Sequence, residues 1–396
     1  MNVVATASDR FLGVYRRPDI VFERGSGAWL YDAAGRPYLD FISGVGVTSL
    51  GHAHPRVAAV LAEQAARLCH TSNLFHHPWQ QSVVERLAQL TGLDRVFLCN
   101  SGTEAVEACL KFARRYWRSQ GEERHDFVAL ERSFHGRTMG ALSVTWDAHY
   151  RDPFAPLVGP VTFVSPGDPA ALDDAVTDRT AAVIVEPIQG EGGVRPLSRE
   201  FAGAVMDACR RTGALLITDE VQCGLGRTGA AFAGPAIGLE PDLMAVGKAL
   251  GAGFPVAAAL FNARVAAAAQ PGDHGSTYGG NALACRAALV FLEELMDGGL
   301  LEHVQRAGAT LEDGLRALAE RLPQITDVRG AGLMWGLEID GNALAAVDAA
   351  RVLGLLVNRT SDTVLRLLPP YVVSDGELAR GLELLEASLV RAGEDS

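Results

Sequence analysis

Residues 241–260, PDLMAVGKALGAGFPVAAAL, hold a single lysine, Lys248, in a run of apolar residues and glycines. The chain has 35 lysines and arginines together, but only Lys111 and Lys248 are lysine. A guanidinium keeps its proton at any working pH, whereas a buried amine can lose it and become a nucleophile. The run LMAVGK reads as a buried strand that ends at this amine. In open parallel sheets ligands bind beyond the carboxyl ends of strands, so Lys248 stands where chemistry is expected.

Working outward, short β-branched runs alternate with longer amphipathic ones, the pattern of a mostly parallel sheet covered by helices. Strands are expected at RVFLCN (95–100), DFVALERSF (126–134), AAVIVEPI (181–188), ALLITDEV (214–221) and LMAVGK (243–248). Residues 198–213, SREFAGAVMDACRRTG, read as a helix with Ser198 as N-cap and Gly213 closing it. A second helix is expected over 104–120. Beyond about residue 290 the pattern becomes a long helix, a strand pair (DVRGAGLMWGLEI) and a final amphipathic helix. The stretch GAWLYDAAGRPYLDF (27–41) reads as a β-meander able to join that part. The expected organisation is α/β: a large domain over 45–290, and a small α+β domain made of 1–44 and 291–396.

A formal net charge of -12 argues against nucleic-acid or anionic-membrane partners. The N-terminus has no apolar signal core and the apolar runs are far shorter than a bilayer span, so a cytoplasmic protein with six reduced cysteines is expected. GHAHP and LFHHP offer histidine pairs without a partner cluster; they read as turns before proline, and no metal is expected.

The segments after the strands are NSGTEA, SFHGRT, EPIQGEGG, DEVQCGLGRTG and GKALGAG. Ser101-Gly102-Thr103 opens a helix, where free N–H groups and the dipole suit a phosphate, although a plain N-cap would read the same way. GLGRTG satisfies a dinucleotide pattern, but glycine and proline break the helix that such a fingerprint must open. Asp219 ends ALLITD; alone it could be a loop acid. Together, an acid and a lysine at adjacent strand ends, a phosphate cradle and an aromatic are what pyridoxal phosphate requires.

The motifs CNSGTEAVEACLKFARRY, SFHGRTMGALSVT, EPIQGEGGV, ITDEVQCGLGRTG, GKALGAGFPVAA and HGSTYGGNALAC resemble, in this order, those of class III (ornithine-type) aminotransferases, pyridoxal-phosphate enzymes of the aspartate aminotransferase fold. The resemblance implies that Lys248 bonds covalently to the cofactor and later carries a proton for the substrate. It implies Asp219 at the pyridine nitrogen, Gln222 near the phenolic oxygen, Val221 against the ring and Phe134 stacked on it. Gly102 and Thr103 would bind the phosphate, joined by Thr277 of a neighbouring subunit, which implies a homodimer with active sites at its interface. Lys111 would be structural.

For substrates, the resemblance implies that Arg137 binds the donor carboxylate, and that Arg366 binds 2-oxoglutarate while Glu191 masks it at rest. Ornithine-type members carry a tyrosine where this chain has Val45, and Ser276 matches a substrate-contacting serine of the acetylornithine branch. Tyr15 falls where a carboxylate-binding tyrosine is kept. These features are similar to the acetylornithine branch, implying transfer of the terminal amine of N2-acetylornithine to 2-oxoglutarate in arginine synthesis. Ornithine, 4-aminobutyrate, N-succinylornithine, N-succinyl-diaminopimelate or a carrier-linked lysine or ornithine are the alternative donors. An idle, non-enzymatic relative is disfavoured by the presence of Phe134, Asp219 and Lys248.

Overall fold

A computed structural model describes residues 10–394. The first nine residues of the expected small domain, and the last two, lie outside it. The centre is a seven-stranded sheet whose strands are, in chain order, β1 (Arg95–Cys99), β2 (Asp126–Leu130), β3 (Val161–Val164), β4 (Thr180–Val185), β5 (Leu215–Asp219), β6 (Leu243–Val246) and β7 (Ala257–Phe261). Their spatial order is β1-β7-β6-β5-β4-β2-β3. Neighbours run parallel except at β7, which is antiparallel to both β6 and β1.

All five expected strands are present; β3 and β7 are additions. β7 is the tail of the opening stretch, and all five of its residues are buried. A strand covered on both faces shows no alternation, and its alanines carry little β preference, so periodicity could not reveal it.

Helices cover both faces. Ala105, Cys109 and Ala113 of the helix Gly102–Ser119 pack with Ile184 and Ile217. Phe201, Val205 and Cys209 of the helix Arg199–Thr212 pack with Val183, Val185 and Leu216 on the other side. Alternate β4 residues thus face opposite layers, as the pleat dictates. Ser198 caps the second helix by accepting from the Phe201 N–H at 3.0 Å, and Gly213 ends it at φ 79°.

The expected meander forms from Phe22–Ser26, Trp29–Asp32 and Pro37–Asp40. Leu355–Leu356 pairs with its last strand in parallel, Leu355 opposite Leu39. A separate antiparallel sheet contains Ile325–Ala331, Met334–Ile339, Val364–Leu367 and Asn358–Arg359 in that order. The long helix expected beyond residue 290 is two helices, Ala282–Met296 and Leu300–Arg321, separated at Gly298-Gly299 with Gly299 at φ 75°. Residues 290 and 291 lie inside the first of them.

Among the described residues no helix is long and apolar enough to cross a membrane, and no cluster of three or more His, Cys, Asp or Glu is arranged to hold a metal. The histidine pairs stand at helix starts rather than in turns: His54 and His77 precede Pro55 and Pro78, the first residues of helices, while His52 bonds Asp40 and His77 bonds the Gly280 carbonyl.

Candidate active site

β6 delivers Lys248 through an extended Gly247, and the chain then turns sharply into a short 3-10 helix, Lys248–Gly251. The lysine itself has φ +36°, a left-handed backbone conformation that costs energy in a non-glycine residue. A Cβ at Gly247 would lie 3.5 Å from the Gly102 backbone, so the lysine strand runs against the start of the Gly102–Ser119 helix. Burial lowers the Lys248 pKa, Arg366 adds to the effect, and Glu191 and Asp219 oppose it. The amine is thereby readier to exist as the neutral nucleophile.

The neighbouring strand β5 ends in Asp219, which is 4% exposed. One of its oxygens lies 2.8 Å from His135 Nδ1 and the other accepts the Val221 N–H at 3.0 Å. Both bonds fix the carboxylate's direction. Beneath it, the Glu186 carboxylate accepts the N–H groups of Phe134 and Gly190. Burial pushes Glu186 up to about 7, and the nearby Asp219 charge pushes in the same direction.

The helix start offers an anion site. No side chain caps the first turn, because the Ser101 hydroxyl turns to Glu104. The Thr103 hydroxyl accepts the N–H groups of Arg137 and Thr138 and lies 2.9 Å from Thr138 Oγ1. Glycine at 102 is required: a Cβ would come within 2.6 Å of Val221.

Arg366, 1% exposed on the strand Val364–Leu367, is ion-paired with Glu191 and donates to the Gln222 side-chain oxygen at 3.2 Å. Burial would raise the Glu191 pKa, but the Arg366 charge and hydrogen bond outweigh it and hold the carboxylate ionised. Both members of the pair act on the charge of Lys248, Glu191 favouring its protonated form and Arg366 opposing it. One lysine, one fixed carboxylate, an uncapped helix start and a masked arginine thus converge from four segments.

The family model of class-III aminotransferases matches residues 14–389. This chain is a class-III aminotransferase. It is 43% identical, over 94% of either chain, to the acetylornithine aminotransferase of Methanothermobacter thermautotrophicus. It superposes on the ornithine aminotransferase of Toxoplasma gondii with a TM-score of 0.93 at 34% identity, covering 98% of this chain and 94% of the other. The N-acetylornithine aminotransferase of Stenotrophomonas maltophilia gives 0.84 at 35% identity, covering 96% and 98%.

Pyridoxal phosphate is the cofactor of this aminotransferase, and the residues fit it. The amine, the buried anion at the next strand end and the uncapped N–H groups are the donor set that its aldehyde, ring nitrogen and phosphate require. The half-buried Phe134 faces the same cavity as Glu191, about 350 Å³ in volume.

Other expected residues do not join this group within the one chain. Tyr15 is 75% exposed, with Arg17 as its ring neighbour. Thr277 is exposed, and Ser276 Oγ accepts from Asn100 and from the Gly279 N–H. Arg137, by contrast, borders the group: its N–H donates to Thr103, and its exposed guanidinium lies 5.3 Å from the Phe134 ring centre and 3.6 Å from that of Tyr150. Lys111 lies 2.8 Å from His274 Nδ1, outside the site.

Sequence reading missed His135, Glu186 and Arg227. The first two stand inside the motifs SFHGRT and EPIQGEGG, but their bonds cross between segments. Arg227, in GLGRTG, is fully buried without a carboxylate partner; it donates to the Leu333 and Pro369 carbonyls and packs on Tyr371. It therefore ties the loop after β5 to the sheet that carries Arg366.

Proposed function

We propose that this aminotransferase transfers the terminal amine of N2-acetyl-L-ornithine to 2-oxoglutarate, giving N-acetylglutamate 5-semialdehyde and glutamate in arginine synthesis. The observation that carries the choice of donor is the turn Ser43–Gly46. Its residues 43–46 all have positive φ, and Val45 packs with Ile188, Val194 and Leu368. A Cβ at Gly46 would be 4.0 Å from Lys248 Cδ, which puts this apolar wall beside the reacting amine. Val45 offers no hydrogen-bond acceptor to a free α-amine, and the Arg227 guanidinium, as near to Gly46 as Lys248 is, would repel one, so the wall suits an acylated amine. The relative of M. thermautotrophicus, an acetylornithine aminotransferase, supports the same choice.

When bound, pyridoxal phosphate supplies an electron sink that makes the C–H bond next to the transferred nitrogen acidic. Lys248 takes that proton and returns it, a role favoured by its lowered pKa. Asp219, fixed by His135, presents an anion to the protonated ring nitrogen. Phe134 and Val221 would pack against the ring and exclude water, and Gly102 and Thr103 would hold the phosphate. Gln222 would approach the phenolic oxygen. Arg137 takes the donor carboxylate, with Ser276 and Tyr15 as further contacts. Glu191 neutralises Arg366 while the donor is bound and releases it to the dicarboxylate acceptor.

The working form would be a cytoplasmic homodimer in which Thr277 reaches the partner's phosphate site. Supporting this, Leu74, Phe75 and Tyr278 are 84%, 67% and 64% exposed, and Leu74 lines a surface cavity of about 1040 Å³ together with Asn73 and Ser276. Sedimentation would reveal a monomer if that part were wrong. The donor is tested by mixing holoenzyme with N2-acetylornithine, ornithine, 4-aminobutyrate and N2-succinylornithine and following the cofactor's absorbance. N2-acetylornithine is expected to react faster than ornithine; the reverse order would overturn the assignment.

A further inference from the structure

Lys111, the only lysine besides Lys248, has no part in the reaction. It lines a cavity of about 500 Å³ beside the C-terminal half of the Gly102–Ser119 helix, together with Arg114, Arg115 and Arg118. At this spacing the four side chains share one helix face. Lys111 and Arg115 are like charges four positions apart, and so are Arg114 and Arg118, an arrangement that by itself destabilises a helix. The helix dipole favours cations only in the last turn, which holds Arg118 alone. In a chain of net charge -12, a face of this sign needs a local cause.

The carboxylates that border the cavity do not neutralise it. Asp273 is taken by Arg115 at 2.9 Å and Glu122 by Arg124 at 2.6 Å, which leaves Glu123. Lys111 Nζ donates to His274 Nδ1 at 2.8 Å. Burial and then the Lys111 charge lower the His274 pKa, so the partner of the lysine is a neutral ring. The half-buried Arg114 donates to the His125 and Gly159 carbonyls at 2.8 and 3.2 Å. Burial lowers its pKa, and the Asp126 charge offsets this only in part. Arg118 is exposed, and among the described residues its side chain makes no hydrogen bond, ion pair or ring contact. Lys111, Arg114 and Arg118 thus bring three positive charges to a cavity with one free carboxylate.

We infer that this cavity is a binding site for a chain of two or three phosphates, inorganic or carried by a nucleotide. Two guanidinium forks and an ammonium meet phosphate oxygens with charge-assisted hydrogen bonds. Lys111 and Arg118 stand about 10 Å apart along the helix axis, farther than a single phosphate reaches and within the span of a phosphate chain. Between them, its two carbonyl bonds hold the Arg114 guanidinium in place, so part of the site is preorganised in the free protein. Phe112, edge-on to His274 at 6.1 Å, adds an apolar wall. The site is separate from the cofactor's phosphate cradle, because Lys111 lies about two and a half turns along the helix from Gly102. It holds whichever amine the enzyme takes as donor.

The test is calorimetric titration of the holoenzyme with pyrophosphate, ATP and orthophosphate, repeated on its Lys111→Gln, Arg118→Gln and Arg118→Lys variants. Pyrophosphate and ATP are expected to bind saturably with Kd below about 1 mM, and orthophosphate about tenfold or more weakly, having lost at least one charged contact. Lys111→Gln and Arg118→Gln should each weaken pyrophosphate by about tenfold, and Arg118→Lys should keep most of the affinity. Cofactor absorbance and melting temperature, unchanged in all three variants, separate a lost contact from a damaged fold. Equal affinity for pyrophosphate and ATP would show that the phosphate chain alone is read, and tighter ATP that the base adds a contact. Absence of saturable binding, orthophosphate binding as tightly as pyrophosphate, or full affinity in Lys111→Gln and Arg118→Gln would overturn the inference, the last by placing the anion at the substrate arginines.

Discussion

The floor and the mouth of the site are built on opposite principles. On the floor, Asp219, His135, Gln222 and Arg366 are each less than one-tenth exposed, and each is held by a partner in the same chain. At the mouth, the exposed Arg137 guanidinium rests, among the described residues, only on the rings of Phe134 and Tyr150. A preorganised floor fixes the reaction, because charges held in place need no reorganisation as the reaction proceeds. A loose mouth leaves the substrate's tail to be chosen by a few side chains.

Substitutions should therefore split cleanly between the two regions. The largest effect belongs to Lys248→Ala: glutamate formation should fall by about 10⁴-fold or more, the upper range for a lost acid–base group. Retention of near-normal turnover would break the comparison at its centre. Asp219→Asn should cost two to three orders of magnitude in kcat, roughly what is lost when a buried charge pair is broken. His135→Phe should weaken the same function by about tenfold, visible as a shifted cofactor absorbance band, since one of two restraints on Asp219 remains.

Arg366→Ala should raise the KM for 2-oxoglutarate about tenfold to a hundredfold, the worth of a charged hydrogen-bonded pair, while the rate of the donor half reaction changes much less. At the mouth, Arg137→Ala should lower kcat/KM for the amino donor by about tenfold, with kcat nearly preserved. Equal damage to kcat there would show that the mouth is as preorganised as the floor.

The smallest effect on activity and a definite one on stability are expected from Glu220→Gln. Burial raises Glu220 to about 7, despite the N–H groups of Ala233 and Gly234 that it accepts. A carboxyl with a raised folded pKa holds its proton longer in the folded state. Stability should therefore decline as pH rises from about 4.5 toward 7 and level off above that. Removing the carboxyl should flatten the pH dependence of the melting temperature across this window; an unchanged profile would contradict it.

The same division governs what could be read from the sequence. Lys248, Asp219 and Gly102 were legible because each terminates a strand or opens a helix, and the periodicity that marks the element also marks its end. β7 was not, since AAALF is buried on both faces and has no period to detect. His135 and Glu186 were hidden for another reason: their bonds join segments far apart in sequence, and no local pattern records such a meeting. Arg227 carries no carboxylate partner that a charge pattern could have indicated. Tyr15, Ser276 and Thr277 were named from resemblance, and within one chain no bond joins them to Lys248, so no local pattern in this sequence could have marked them.

The parallel pairing of Leu39 with Leu355 has a consequence for the order in which the molecule is made. The central sheet, with Lys248 and Asp219, is complete once β7 has been synthesised. The strand Pro37–Asp40 must wait far longer, because one edge is closed only by residues 355 and 356, and Arg366 emerges later still. On the ribosome, the nascent enzyme thus has Lys248 and Asp219 long before it has Arg366, the arginine proposed to bind its acceptor. A chain halted in between would expose an open strand edge, a hazard that long-range pairing always brings.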